Sequence, residues 1–275
     1  AQRSYFELSN LDTTLSPCED FYQYAIGGWL KNNPIPSTES RWGSFNVLND
    51  SNEAKLKTIL VEFAEKEDAP RFSMEQQIGD FYTAAMDSTT ANTKGIQVLQ
   101  EKLHEIENVS SKEDYVKLSA EMVKIGVGNM FGVYVGQDSK NSEAYITHLY
   151  QSGLGMPDRD YYLKEDAKSA ELRAAYMEHI EKMLALAGEE EETAAKNAKK
   201  ILEMESQLAK VSMSRVDRRN PDKTYNKYDY AKLKQMSPNF MWDTYFAGIG
   251  ISPENMIVGQ PDFFKSLNSQ LKNYS

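Results

Sequence analysis

A mainly α-helical fold with one small β-hairpin is predicted by three observations. Apolar residues recur at helical spacing through most of the chain, several times behind a Ser or Asp that can cap a first turn. The pattern changes to a short, partly β-branched one in a single region, residues 130–149. No internal repeat of the length used by solenoids or propellers is visible. The 275 residues suffice for one large domain or two small ones. With 40% hydrophobic and 26% charged residues the chain can bury a core and is not a disordered composition.

Residues 1–18 are polar, with Asn10, Asp12, Ser16 and Pro17, and read as an extended lead-in. Glu19 to Lys31 reads as a helix with Phe21, Tyr22, Ala25 and Trp29 at helical spacing. Gly27-Gly28 within it allows close approach to another backbone. Asn32-Asn33-Pro34-Ile35-Pro36 ends that helix. Asp50 and Glu53 resemble a capping box, followed by an apolar stripe of Leu56, Ile59, Leu60 and Phe63. Ser73-Met74-Glu75-Gln76 is a second such start, with Ile78, Phe81, Tyr82 and Ala85 as the expected buried face. Ile96, Leu99, Leu103 and Ile106 mark another helix, and Tyr115, Leu118, Met122 and Ile125 the next.

Met130–Val135 and Glu143–Leu149 then read as two strands joined by a turn-forming run from Gly136 to Ser142. Gly153 to Asp160 is a loop. Leu172, Tyr176, Ile180, Met183 and Leu184 restore helical spacing. Glu189 to Glu192 is a charge run suited to the start of a helix, where the macrodipole favours acids. Ala195, Ala198, Ile201, Leu202, Glu205 and Leu208 continue that helix. Asp217 to Tyr228 is a polar loop, and shorter helices near Tyr230, Pro238 and Pro261 follow.

Charge excludes several functions. Lys and Arg number 31 against 41 Asp and Glu, a formal net charge of −10. That disfavours nucleic acid, which needs a basic face, and anionic membrane surfaces. No apolar stretch has the length of a membrane helix. One cysteine, Cys18, excludes an intrachain disulfide and Cys-based zinc clusters. The three histidines are His104, His148 and His179. His104-Glu105 begins like the zinc motif H-E-x-x-H, but Asn108 stands where the second histidine belongs. His104 reads as a surface helix residue, and the other two as packing or surface residues. No nucleophile elbow, P-loop or dinucleotide fingerprint is present.

The run from Ser16-Pro17-Cys18-Glu19-Asp20-Phe21-Tyr22 through Gly27-Gly28-Trp29-Leu30 resembles the N-terminal region of the neprilysin family of zinc metallopeptidases. That family includes the endothelin-converting enzymes and bacterial oligopeptidase O. The resemblance continues through Ile35 to Phe45 and Tyr134 to Asn141. It recurs from Leu154 to Tyr162, and at Arg218-Arg219-Asn220-Pro221 with Tyr225-Asn226-Lys227. Blocks in the family's order across residues 16–275 make a specific signal, although any one alone is weak.

The resemblance implies a multi-helix lid lobe with one small hairpin, facing a zinc-bearing lobe across a closed cavity. Residues 1–50 would contribute to the catalytic lobe and residues 51–275 to a lid that is incomplete at its C-terminus. The family's H-E-x-x-H helix, its downstream glutamate, its Asn-Ala-Tyr strand and its transition-state histidine are all missing here. The chain therefore reads as a piece of a longer polypeptide. Its expected partners are the C-terminal catalytic portion of the same protein and small peptide substrates. Zinc belongs to the full-length parent, none is held by this chain, and the isolated chain is expected to be inactive. An extracytoplasmic location follows from the same likeness.

Substrate-binding candidates come from the Ser-Arg-aromatic-Gly-x-Phe motif. Arg41 is similar to the arginine that binds the C-terminal region of the peptide, where a guanidinium can grip a carboxylate or carbonyls with two hydrogen bonds. The alternative is that Arg41 pairs with a local acid such as Glu39 or Asp50. Phe45 resembles the aromatic lining of the first primed subsite. Asn46 matches a polar position near the second. Asn49 stands where neprilysin has a second arginine, which implies weaker preference for free C-terminal carboxylates and a shift toward internal cleavage of longer peptides. Cys18 corresponds to a family cysteine whose partner lies near the far C-terminus, so it is either bonded to that missing part or free. A second family cysteine is replaced by Ile26. The Arg159-Asp160-Tyr161-Tyr162 and Arg218 to Pro221 blocks read as loop-fixing, and Trp29, Trp42 and Trp242 as core anchors. Asn49, Asn108 and Asn273 lie in N-x-Ser sequons. The rival readings are a non-catalytic helical module that holds a peptide or glycan with its 16 Tyr and 11 Phe, and a purely structural or interaction domain.

Overall fold

The computed structural model describes residues 7–39 and 41–273. Residues 1–6 of the lead-in, Ser40 of the arginine motif and the last two positions of the Asn273 sequon lie outside them. The chain divides into two compact units between Thr93 and Lys94.

The first unit holds α1 (Phe21–Asn32), α2 (Ser44–Ala64), α3 (Met74–Met86) and most of α4 (Ser88–Lys94). Asp20 caps α1 by accepting from the Gln23 N–H at 2.9 Å. The Gly27-Gly28 pair does what the sequence suggests. A Cβ on Gly28 would lie 2.2 Å from the Ser9 carbonyl oxygen, so α1 packs directly on the backbone of residues 9–11. α2 and α3 pack together, and a Cβ on Gly79 would meet the Phe63 carbonyl oxygen at 2.4 Å.

Two expectations are corrected here. α2 starts at Ser44 behind Gly43, which caps with no side chain, so Asp50 and Glu53 sit inside the helix rather than at its start. A capping box needs extended backbone at its first residue, and Asp50 is helical. On α3 the buried residue is Gly79, while Phe81 and Ala85 are exposed. The second capping box is present: Ser73 accepts from the Gln76 N–H at 3.2 Å, and the Gln76 side chain reaches back one residue further, to the Phe72 N–H at 2.6 Å.

The second unit carries the core. α5 (Gln100–Glu107) follows a 3₁₀ turn at Gly95–Leu99, so the single helix expected over Ile96–Ile106 is broken in two. α6 (Lys112–Lys124) is capped by Ser111 and buries Val116, Ser119 and Ala120. The buried face therefore lies beside the expected one, and Ile125 is exposed just past the helix. The hairpin is β1 (Phe131–Asp138) and β2 (Asn141–Gln151), with a turn of Ser139 and Lys140. After α7 (Asp160–Leu163), α8 (Ala167–Leu186) and α9 (Glu191–Val211) form a helical hairpin around Gly188 at φ 107°.

The polar loop after Asp217 contains α10 (Pro221–Thr224) and β3 (Lys227–Asp229), and continues into α11 (Tyr230–Met236). α12 (Trp242–Ile249), β4 (Asn255–Val258) and α13 (Pro261–Asn273) complete the chain. The sequence pattern does not predict β3 and β4. They extend the hairpin to a four-stranded sheet in the order β1-β2-β4-β3, with β2 and β4 parallel and the other pairs antiparallel.

One sheet face lies on the helices. Phe131, Leu149, Met256 and Val258 join Trp242, Tyr245, Phe240, Phe263, Phe264 and Leu267 in a single cluster. The Phe131 ring centroid lies 5.1–5.5 Å from those of Phe240, Trp242, Tyr245 and Phe264. Trp242 is the core anchor that the sequence suggested, and its Nε1–H donates to the Ser237 carbonyl at 3.1 Å. Trp29 and Trp42 are only half-buried.

Candidate functional site

The segment from Arg41 to Asn49 leads from an extended stretch into the first turns of α2. Arg41 is exposed and forms no ion pair or hydrogen bond among the described residues, so the local pairing with Glu39 or Asp50 is not formed. Phe45 is 87% exposed, an unusual position for a phenylalanine. Asn49 lies one turn further along the same helical face, and its Nδ2 donates to Glu53 Oε1 at 2.6 Å. Asn46 is half-buried and its N–H donates to the Gly43 carbonyl at 2.9 Å.

The face that carries Phe45 and Asn49 continues through Leu48, Leu56 and Ile59, all exposed. α2 thus presents a ring and an apolar stripe on one face, just after the exposed Arg41, and buries no residue fully. Beside its start lies a groove of about 440 Å³ lined by Leu11, Tyr22, Ile26, Trp29, Trp42 and neighbouring residues. Trp42, Gly43 and Ser44 form one wall of that groove, whereas Arg41 and Phe45 do not line it.

The remaining family-like blocks meet each other inside the second unit. Asp138, at the hairpin tip, is only 2% exposed. Its carboxylate accepts from the Lys140 N–H at 2.9 Å, from Tyr225 Oη at 2.9 Å and from Lys227 Nζ at 3.1 Å. Those contacts, the Lys140 N–H above all, hold its pKa down at about 2. The Leu154–Tyr162 block is tied similarly. Arg159 Nη1 donates to the Ser212 carbonyl at 2.7 Å, and Asp158 faces Arg215 and Arg218, each at 3.6 Å. Tyr162 Oη accepts from the Met156 N–H at 2.8 Å and donates to Glu205 at 2.7 Å. Burial, joined by the Glu205 carboxylate, pushes the Tyr162 phenol far above its ordinary range. Asn220 caps α10 through its side chain, with Pro221 at the first helical position. These blocks fix loops, as their sequence suggests.

The histidines do not converge. His104 is exposed and pairs with Glu107 at 3.0 Å. His148 stacks on Tyr134, and His179 lies in α8. Among the described residues no group of three or more His, Cys, Asp or Glu could hold a metal ion. These side chains do not fit a zinc centre. Cys18 is exposed and unpaired. No helix among the described residues is long and apolar enough to cross a membrane.

The helical hairpins of both units, with a small mixed sheet in the second, are the N-terminal helical region of a metallopeptidase fold. The model of peptidase family M13 matches residues 17–275, and the chain belongs to this family, the neprilysin family, as its N-terminal region. It is 32% identical over 284 residues to an endothelin-converting enzyme homolog of Locusta migratoria, covering 98% of this chain and 38% of that protein. It is 32% identical over 263 residues to human endothelin-converting enzyme 1, covering 91% and 33%. Among solved structures, the zinc metalloprotease Zmp1 of Mycobacterium tuberculosis in complex with inhibitor superposes with a TM-score of 0.86 at 30% identity, over 98% of this chain and 41% of that one. PepO of Lactobacillus rhamnosis, at 19% identity and a TM-score of 0.77 over 94% and 41%, shares the fold. The chain spans well under half the length of each of these proteins.

Proposed function

We propose that this chain is the N-terminal, substrate-cavity part of a zinc-dependent metalloendopeptidase that cleaves small peptides outside the cytoplasm. The observation that carries the reading is Arg41: an arginine without a partner among the described residues, four positions before a phenylalanine held out in solvent, in the stretch that resembles the family's peptide-binding motif. An exposed phenylalanine ring gains by being covered and an unpaired guanidinium is free to take an acceptor, so both are useful where a ligand docks.

In this reading residues 1–50 belong to the catalytic lobe and residues 51–275 to the lid, joined through the unbroken helix α2. Arg41 takes the peptide's C-terminal carboxylate or main-chain carbonyls with paired N–H donors. Phe45 shelters an apolar side chain from water, and Asn46 and Asn49 supply polar contacts further along. Zinc and its ligands are assigned to the C-terminal portion of the parent polypeptide. Asp138, Asp158, Arg159 and Tyr162 are taken up in contacts that fix loops, which suits positioning of substrate rather than bond cleavage.

Joining the chain to the downstream half of its reading frame tests the proposal. The joined protein is expected to hydrolyse short peptides, to lose activity to a chelator and to bind peptide more weakly as Arg41→Ala. The chain alone with added zinc is expected to be inactive. Activity of the chain alone, or a joined protein that binds peptide equally well without Arg41, would overturn the assignment.

A further inference from the structure

The sheet of the second unit has a second face, turned away from the core, that the reading above leaves unused. Register places Tyr134, His148 and Ile257 in one row across β1, β2 and β4, with Gly132 and Tyr150 paired in the adjacent row. The Tyr134 and His148 rings are parallel within 2° at 4.5 Å, and Tyr150 lies 5.8 Å from Tyr134. Gly132 has no side chain because the Tyr150 ring occupies that space: a Cβ there would sit 2.0 Å from the ring. The result is an aromatic slab. Together with Arg218, Tyr225 and Gln260 it lines a cavity of about 450 Å³ that is open to solvent on one side.

The polar groups of this cavity are unevenly satisfied. His148 Nε2 is buried and has no partner among the described residues. Gln260 is 7% exposed, and its Oε1 accepts from the Gln151 N–H at 2.8 Å. Because that backbone group can only donate, the amide orientation is fixed, and the Gln260 Nε2 hydrogens have no partner among the described residues. Among the described residues the Arg218 guanidinium approaches only the Asp158 carboxylate, at 3.6 Å, too long for a hydrogen bond, and Arg215 shares it. Nearby acids are already neutralised, Asp138 by Lys227 and Asp217 by Lys223, while Lys140 sits over the Tyr225 ring at 4.4 Å. An aromatic wall, unpartnered donors and surplus positive charge thus share one cavity in a chain that is acidic overall.

We propose that this cavity is a binding site for a carboxylate carried beside an aromatic group, as at the end of a peptide or on an acidic side chain next to a ring. The carboxylate accepts from Arg218, the Gln260 amide and the Nε2–H tautomer of His148, and the ring lies against Tyr134 and Tyr150. The site lies wholly within residues 94–275 and stands independently of the peptidase reading.

Calorimetric titration of the 275-residue chain tests it with three probes: N-acetyl-phenylalanine, its amide, and N-acetyl-aspartyl-phenylalaninamide. Binding of the first or third and not the second is expected, and which of the two binds tells a terminal carboxylate from a side-chain one. Arg218→Gln is expected to weaken binding about tenfold or more, the scale of a lost charged hydrogen bond, while Arg218→Lys retains part of it. His148→Phe keeps the ring stack and removes the nitrogen. It is expected to weaken binding too, and it carries the test should Arg218→Gln fail to fold by circular dichroism. Equal binding of the amide, no binding of either carboxylate probe, or unchanged affinity in the variants would overturn the proposal.

Discussion

Tyr225 Oη donates to the carboxylate of Asp138 at 2.9 Å, across 87 residues of sequence. The bond fastens the tip of the β1–β2 hairpin to the segment that leads into β3, and Lys227 clamps the same carboxylate from its other oxygen. The turn amide of Lys140 completes the set. The pKa of Asp138 is held at about 2, below its ordinary value of 3.8. A carboxylate with a depressed folded-state pKa contributes stability that is present above the unfolded value and is lost as pH falls through the folded one. Asp138→Asn is therefore expected to lower the melting temperature at neutral pH and to flatten the loss of stability between about pH 4 and pH 2. Thermal melts across that range check it, and a mutant curve parallel to the parent's would contradict it.

Tyr162 both accepts from the Met156 N–H and donates to Glu205. Tyr162→Phe keeps the ring and strips out both bonds, leaving a buried N–H without its acceptor. A loss of about 1–3 kcal/mol is expected in denaturant titrations. The Glu205→Gln variant, which retains an acceptor, is expected to lose less.

Gly79 is where α3 rests on the backbone of α2. Gly79→Ala places a methyl group against the Phe63 carbonyl, and backbone cannot rotate away as a side chain can. A cost of about 1–3 kcal/mol is expected, read most sharply by amide exchange in α2 and α3. Gly43→Ser, with only an Asn46 side-chain atom at 3.8 Å from the added carbon, is expected to be tolerated.

Arg41 forms no ion pair or side-chain hydrogen bond among the described residues and Phe45 is 87% exposed, so under the proposed reading their loss is expected to affect ligand binding rather than folding. In the joined two-half enzyme, Arg41→Ala is expected to raise KM by about tenfold for peptides with a free C-terminus. It should raise KM less for their amides, with an unchanged melting temperature. Asn49→Arg is expected to favour free carboxylates only modestly, because Glu53, which now binds the Asn49 amide, is placed to pair with the new guanidinium. Equal changes in dipeptide release and internal cleavage would count against the role given to Asn49.

Much of the architecture is legible in the residues. The hairpin announces itself because the apolar period changes at Met130 and the intervening run is rich in turn formers. Ser73 and Gln76 mark a helix start because capping acts through neighbours in sequence. β3 and β4 escape notice for the opposite reason. Asn255–Val258 is four residues long and buried along most of its length, so no alternation marks it, and its partners lie far away in the chain. The start of α2 is hidden because Gly43 caps without a side chain. Phe81 shows the limit of helical periodicity, which states that a face is apolar but not that a neighbour covers it. At the candidate site the motif points to Arg41 and Phe45, whereas the cavity beside Tyr134 and His148 depends on strand register and is invisible until the sheet is assembled.

The parallel seam between β2 and β4 has a consequence for biosynthesis. Thr147–Leu149 find their second neighbour only in Met256–Val258, more than a hundred residues later. Until that stretch leaves the ribosome, β2 keeps a bare hydrogen-bonding edge beside half-dressed aromatics. The nascent chain is thus most open to mispairing with its own copies just before synthesis reaches β4, and translational pausing there should leave more of it insoluble.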